Sequence, residues 1–494
     1  MRTPHKRTAK ERLKFWYTDV EAFITRNEMY IIIAYFVSLA TFFCVQFYLL
    51  QNWDMLVRIL NSNFLFHNGY YFETQRALLE SLVIGAFSFI FGGYAVYAFL
   101  MMSAAVFTLS AVYAAKAFEI KPILLISALS TPFLIFYGTL NGSELFMMSF
   151  LLLFVSAVKL KKYYAGLFLA LAVVSKYDAL YFAVLFLFLL DRNILHSIKR
   201  LLANAAIFIA AMSPFFIYNL LSYGNFIYTI ALSYFYVKNV GSSTYGVLYG
   251  FYELIPAVVF AALLPILSNL KLIKTRIKDF RSIAMLIASV VISIYIYFSA
   301  TGFFPTGNGE YRFFLLASTF SIFIVLLFYR RYNSSLFIAA FVISMLIAVS
   351  MLINLYAVSQ SNAANRMISG FKAVYGNSTC TVQSNDWVSL DYYGLAAEPI
   401  SPLKNDSVYP IVNIGQVNTS LPQLYNNSGV FVYGLSSCNF TTVQINFLSD
   451  YNKLLESRNE TPLQPSACAW LSEGSTTINS TCNYINDLLV YTLK

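Results

Sequence analysis

The chain has 494 residues, of which 59% are apolar and only 11% charged, and its mean hydropathy is +0.64. A soluble protein of this length needs far more charge to coat its surface, so composition excludes a soluble globular enzyme and points to a multi-pass membrane protein. The net charge of +10 is spread along the chain instead of gathered on one polar face, so nucleic acid is not an expected partner.

Residues 1–28 hold Arg2, Lys6, Arg7, Lys10, Arg12, Lys14 and Arg26, a basic stretch that is expected to stay in the cytoplasm. The apolar run 29–50 follows without a small-residue cleavage site and reads as a retained anchor. Next comes a polar, aromatic loop, 51–93, that carries Asp54, Arg58, His67, Glu73, Arg76 and Glu80. Its last part, 77–93, is short for a crossing and reads as a helix lying on or dipping into the outer surface.

Ten further apolar runs lie at 94–116, 121–138, 144–160, 163–178, 179–190, 201–220, 246–268, 282–300, 313–329 and 335–357. Their junctions alternate in charge. One set holds Lys116 and Lys121; Lys159, Lys161 and Lys162; Arg192, Lys199 and Arg200; Lys271, Lys274, Arg276, Lys278 and Arg281; and Arg330 and Arg331. With eleven spans that start inside and end outside, every one of these clusters falls in the cytoplasm. The expected fold is therefore a polytopic α-helical membrane domain, 29–358, with catalytic capacity in its first outer loop.

From residue 359 the composition changes. The tail, 359–494, carries a net charge of −3, short alternating runs such as Gly429–Leu435 and Thr441–Phe447, and an amphipathic stretch Ser449–Arg458. That mix predicts a small α/β domain. Seven Asn-x-Ser/Thr sequons, at Asn377, Asn405, Asn418, Asn426, Asn439, Asn459 and Asn479, predict an extracellular, glycosylated domain. Cys44 lies inside the first span, whereas Cys380, Cys438, Cys468 and Cys482 all fall in the tail and predict two disulfides in one of three pairings.

Four outer loops can face one another on this topology: 51–93, 138–144 with Glu144, the Lys176–Asp178 turn, and 301–312 with Glu310 and Arg312. Carboxylates and cations at one membrane face suit a charged lipid headgroup and an acceptor. Each residue also has a structural reading: Asp54 as a helix cap, Glu73 and Arg76 as an i,i+3 ion pair, Lys176 and Arg312 as snorkelling side chains, and Asp178 as a partner of Lys176. The scattered His5, His67 and His196 offer no metal cluster, and no glycine-rich nucleotide loop is present.

The order of these features resembles the GT-C membrane glycosyltransferases, among them the dolichyl-phosphate-mannose protein mannosyltransferases and their bacterial and archaeal relatives. Trp53-Asp54 looks like their acidic first-loop motif. Asn68-Gly69-Tyr70-Tyr71 through Arg76-Ala77-Leu78-Leu79 is similar to their Gly-Tyr-Tyr segment, although the prolines that follow it there are missing. Thr139–Glu144 falls where the family has a second acidic outer loop. Gly166-Leu167 through Lys176-Tyr177 and Glu310-Tyr311-Arg312 resemble two later signatures.

The resemblance covers roughly 29–330 and implies transfer of a sugar from a polyprenyl (dolichyl) phosphate donor to a glycan, protein or lipid acceptor on the outer face. It implies Asp54 as the base, with Glu73 or Glu144 as a second carboxylate because Met55 follows Asp54 where some members have a further acid. Arg76, Lys176 and Arg312 would hold the donor phosphate, beside Glu310 and Tyr71. No organic cofactor is implied, and a divalent metal is left open. Trp387 through Gly394 is a looser echo of the oligosaccharyltransferase motif. Two other classes stand beside this reading. A transporter or flippase predicts repeat symmetry and mid-span charges, which the sequence lacks, and a non-catalytic surface anchor needs only one or two spans.

Overall fold

The computed structural model describes residues 19–67, 69, 71–240, 280–301, 315–328, 334–358, 363–378, 380–400, 409–417, 419–427, 429–435, 445–446, 468 and 476–493. Within them, each apolar run of the sequence is helical. The series is α1 (Glu28–Leu49), α2 (Trp53–His67), α3 (Leu79–Phe91), α4 (Ala95–Ala117), α5 (Pro122–Leu129), α6 (Pro132–Leu140), α7 (Glu144–Lys159) and α8 (Ala165–Ser175). A 3-10 helix, Tyr177–Leu189, leads into α9 (Ile194–Tyr223), α10 (Tyr228–Val240), α11 (Phe280–Thr301), α12 (Leu315–Phe328) and α13 (Ser334–Val358). The run 246–268 lies outside the described residues.

Four of these segments are long and apolar enough to cross a membrane, and α5 with α6, bent by 72° between them, makes a fifth. Helices α8, α11 and α12 and the 3-10 helix are apolar but shorter. The coarse expectation of a helical membrane protein therefore stands, while a count of eleven crossings is finer than length and composition support.

Hydrogen bonds and ion pairs sort the helix ends into two groups. At one end Glu28 accepts from the Ile123 amide, Glu21 from the Ser335 amide, and Lys161 pairs with Asp191. Arg281 reaches Asp191 and the Leu190 carbonyl, and Lys159 lies over the Phe118 ring. The described basic residues of the sequence clusters, from Lys116 to Arg281, gather here. At the other end Gln46 donates to the Phe136 carbonyl, Arg58 to that of Asn141, and Lys176 pairs with Glu144.

Segment α3 stays at this second end. Glu80, in its first turn, pairs with Arg58, and just past its last turn Tyr97 packs edge-on against Phe47, near the close of α1. Leu79–Ala117 taken together is 39 residues, roughly twice what a bilayer core needs. Gly92, at φ +54, breaks it. Helices α2 and α3 form a hairpin across the end of the bundle, closed by a 2.6 Å hydrogen bond between His67 and Ser88. Gly85 permits the approach, since a Cβ there would collide with the Phe66 ring.

The tail carries α14 (Ala363–Tyr375), α15 (Trp387–Tyr392) and α16 (Thr476–Leu493) beside a five-stranded sheet of order β3-β2-β4-β6-β5. Its strands are β2 (Val382–Ser384), β3 (Ala397–Pro399), β4 (Ile411–Ile414), β5 (Gln423–Asn427) and β6 (Val430–Tyr433); β2 runs parallel to β3 and β4, and β6 antiparallel to β4 and β5. The run 429–435 thus gives the inner strand β6, buried along its whole length. The stretch 449–458 lies outside the described residues. A small apolar core joins Met367 and Phe371 of α14 to Val382, Val412 and Val432 of the sheet.

Cys468 and Cys482 form a disulfide, and Cys380 is also disulfide-bonded, to a partner outside the described residues; Cys44 is free. Of the sequon asparagines, Asn377, Asn426 and Asn479 are described, on a turn, on β5 and on α16, while Asn405, Asn418, Asn439 and Asn459 are not.

Candidate active site

Helix α2 begins at Trp53, so Asp54 sits in its first turn, where a carboxylate complements the exposed amides and the helix dipole. The Asp54 amide itself donates to the Asn52 side chain at 2.9 Å. Asn52, not Asp54, therefore caps α2, and the Asp54 carboxylate is turned to Arg76: Oδ1 lies 2.8 Å from Nη1, with 14% of the Asp54 side chain exposed.

Arg76 bridges two carboxylates. Its Nε lies 2.8 Å from Glu73 Oε2, the i,i+3 contact that the spacing predicts. Glu73 is only 3% exposed and fully engaged. Oε1 accepts a short hydrogen bond from the Tyr71 hydroxyl, and Oε2 a second one from Gln75 at 3.1 Å. Asn61 of α2 clamps the Glu73 backbone at both groups, accepting from its amide at 2.8 Å and donating to its carbonyl at 3.1 Å. Burial, and then the neighbouring Glu73 carboxylate, push the Tyr71 hydroxyl well above its ordinary pKa, so it stays protonated and donating. Tyr71 is buried, so its hydroxyl serves Glu73. Glu73 in turn fixes the guanidinium that faces Asp54.

A second pair lies beneath. Arg58 Nη1 meets Glu80 Oε2 at 2.7 Å, both side chains almost wholly buried, and Arg58 also donates to the carbonyls of Ala77 and Asn141. Gly142, at φ +92, makes this possible: a Cβ there would press on the Arg58 side chain. Arg58 thereby ties the first loop to the 138–144 loop. Tyr177 ties in the third, donating to the Arg76 carbonyl at 3.2 Å and contacting Thr229 at 3.2 Å.

Lys176 pairs with Glu144 at 3.2 Å, and Asp178 lies close by. All three line a narrow cleft, with free space of about 10 Å³, walled by Leu134, Met147, Met148, Ile296 and Leu315. Charged and apolar side chains therefore share one small opening at this end of the bundle. Glu310 and Arg312 lie outside the described residues, three to five positions before Leu315 in the chain. Among the described residues, no three His, Cys, Asp or Glu side chains stand close enough to hold a metal ion.

The tail closes over the first loop. Trp387 of α15 stacks edge-on against Trp53 at 4.5 Å, Tyr393 donates to Gln51, and the short strand Tyr71–Phe72 (β1) pairs in parallel with β7 (Ile445–Asn446). Sequence reasoning singled out Asp54, Glu73, Arg76, Glu144 and Lys176, which the fold gathers at one end. It missed the work of Arg58, Glu80, Asn61 and Trp387. A signal for the first three existed: polar residues inside largely apolar helices require partners.

No protein-family model, curated protein or solved structure matches the chain.

Proposed function

We propose that the protein is a membrane glycosyltransferase that moves a sugar from a polyprenyl-phosphate donor to an acceptor hydroxyl. The observation that carries the reading is the Asp54–Arg76–Glu73 cluster: a partly exposed carboxylate held against a fixed guanidinium, at the bundle end where Lys176 pairs with Glu144. Asp54 takes the acceptor proton as the acceptor oxygen attacks C1 of the sugar. The C1–O bond to phosphate breaks, its electron pair leaves with the phosphate oxygen, and a single displacement of this kind inverts the anomeric centre.

Arg76 has a double task in this scheme. In the unliganded arrangement it occupies an Asp54 oxygen. A donor phosphate, a stronger bidentate partner for guanidinium, draws Arg76 toward itself and leaves Asp54 open to the acceptor. Glu73, Tyr71 and Asn61 keep Arg76 from swinging away. Lys176, paired with Glu144, and Arg312 add charge for the departing phosphate, and the apolar side chains beside Lys176 meet the first prenyl units.

The same reading assigns eleven crossings, a cytoplasmic N-terminus and an extracellular, glycosylated α/β tail that covers the acceptor side. The gathering of basic residues at one bundle end, with the tail at the other, supports this orientation. The test is transfer from a synthetic polyprenyl-phosphate sugar by the purified full chain in nanodiscs. Transfer with inverted product, abolished in Asp54→Asn at unchanged melting temperature, supports the reading. Full activity in that variant removes Asp54 from the chemistry.

A further inference from the structure

The last described helix, α16, carries a face that the tail domain does not use. Its partly buried positions, Cys482, Asn486 and Leu489, recur on one side. The opposite side presents Tyr484, 70% exposed, with Ile485 and Leu488 at 40% and 51%. A polar domain has no reason to display such residues together on one helix face. The helix is not among those apolar enough to cross a membrane, and it carries Asn479, Asn483, Asn486 and Asp487 along its length.

Where α16 is held matters more than its composition. Asn486 Nδ2 donates to the Gly224 carbonyl at 3.2 Å, its Oδ1 accepts from the Phe226 amide at 3.3 Å, and Asn225 reaches Cys468 Sγ, which is disulfide-bonded to Cys482 of the helix. Gly224 is the left-handed cap that ends α9, one of the segments long enough to span. Just before the cap, Leu221 is 76% exposed and Ile217 43%, as side chains turned to lipid are. Beside it the Tyr218 and Tyr223 hydroxyls hydrogen-bond to each other, and Tyr223 stacks on the buried Tyr228 at 4.6 Å, so the end of α9 is firmly packed. The tether therefore fixes α16 at the level where a bilayer ends.

We infer that α16 lies on the membrane surface, with Tyr484, Ile485 and Leu488 set into the headgroup layer of the leaflet on the tail side. An exposed apolar face on a helix too polar to insert, held at the end of a helix long enough to span, is how an interfacial helix is recognised. The inference needs only the membrane location and is independent of the transferase chemistry.

The test uses the full chain in nanodiscs of phosphatidylcholine and phosphatidylglycerol, with and without lipids brominated near the headgroup. Tyr484→Trp is compared with Asn483→Trp on the polar flank, the emission of the four native tryptophans being subtracted. The added indole at 484 is expected to emit blue-shifted light and to be quenched several-fold more by bromolipid than the one at 483. Ile485→Trp reads the same face should the first variant fold poorly. Water-like emission at 484 and 485 without bromolipid quenching overturns the inference. Blue-shifted emission without quenching also overturns it, since the face would then be covered by protein, such as a second copy of the chain.

Discussion

The two ends of the helical bundle use the same residue types in opposite ways. At the tail end Arg58 and Glu80 are 6% and 0% exposed, and Asp54, Glu73 and Arg76 form a cluster whose members share donors. At the other end Lys161 and Asp191 are 30% and 39% exposed, and Arg281 joins them loosely at 3.9 Å. Charge in water has little left to gain from a partner, whereas charge removed from water has to be paired and hydrogen-bonded. The exposed end therefore holds its side chains loosely, and the buried end fixes geometry. One fully buried pair beneath a partly buried cluster keeps Arg76 and Asp54 in place, which is what the proposed chemistry asks of a scaffold.

The largest expected effect falls on Asp54, the partly exposed carboxylate of the buried end. Asp54→Asn keeps the size and leaves the Asn52 cap in place but accepts no proton at neutral pH. Turnover with a polyprenyl-phosphate sugar is expected to fall roughly 10²–10⁴-fold, the usual contribution of a general base. The melting temperature should hardly move. A large fall in melting temperature with turnover per folded molecule intact would make Asp54 a structural residue, and the ends would then differ in burial alone.

Next comes the pair that separates burial from chemistry. Glu80→Leu leaves Arg58 charged and unpaired among buried groups, and is expected to cost about 3–5 kcal/mol, read from denaturant or thermal unfolding in detergent. Lys161→Met at the opposite end should leave the unfolding midpoint where it was. Equal effects at both ends would break the comparison outright. Between these falls a covalent link within the tail. The Cys468–Cys482 bond closes a loop with a sequence separation of 14, so replacing both by Ser is expected to lower tail stability by about 3 kcal/mol. Faster proteolysis of the tail without loss of the helical bundle is the readout.

Much of the buried end was legible in the sequence, and the limits are physical. Apolar runs identify helices because a bilayer leaves the backbone no other way to satisfy its groups. The shortness of 77–93 marks a helix that stays at one face, and Gly92 supplies the break. The Glu73–Arg76 pair follows from spacing. Nothing local, however, says that Arg76 also reaches back to Asp54, or that Lys176 meets Glu144, thirty-two positions away, because these choices are made by helix packing. The β1–β7 pairing joins two-residue strands, too short to show any alternation. Trp387 over Trp53 likewise needs the tail docked before it exists.

The smallest expected effect sharpens the contrast through its sign. Asp386, just before α15 and its Trp387–Trp53 contact, is a largely buried carboxylate whose Oδ1 accepts from Ser389 Oγ at 2.7 Å. Burial raises its pKa above the ordinary range, and the hydrogen bonds from Ser389 offset this only in part. The folded chain then keeps a proton that the unfolded chain has already released. Between the ordinary aspartate value of about 3.9 and the raised one, stability falls as pH rises, and the loss is complete above the raised value. Asp191 has the opposite slope: the Lys161 hydrogen bond holds its pKa down, so its contribution is present above the ordinary value and is lost as pH falls through the lowered one. Asn at 386 keeps the acceptor for Ser389 but carries no charge. Asp386→Asn is thus expected to melt slightly higher than the parent at neutral pH and to lose the decline just above pH 4, while Asp191→Asn loses the rise below it. Melting temperatures measured from about pH 3 to pH 7 separate the two. If Asp386→Asn retains the parental slope, the carboxylate is ionised at no cost, and burial at this end is less complete than the Trp53–Trp387 contact implies.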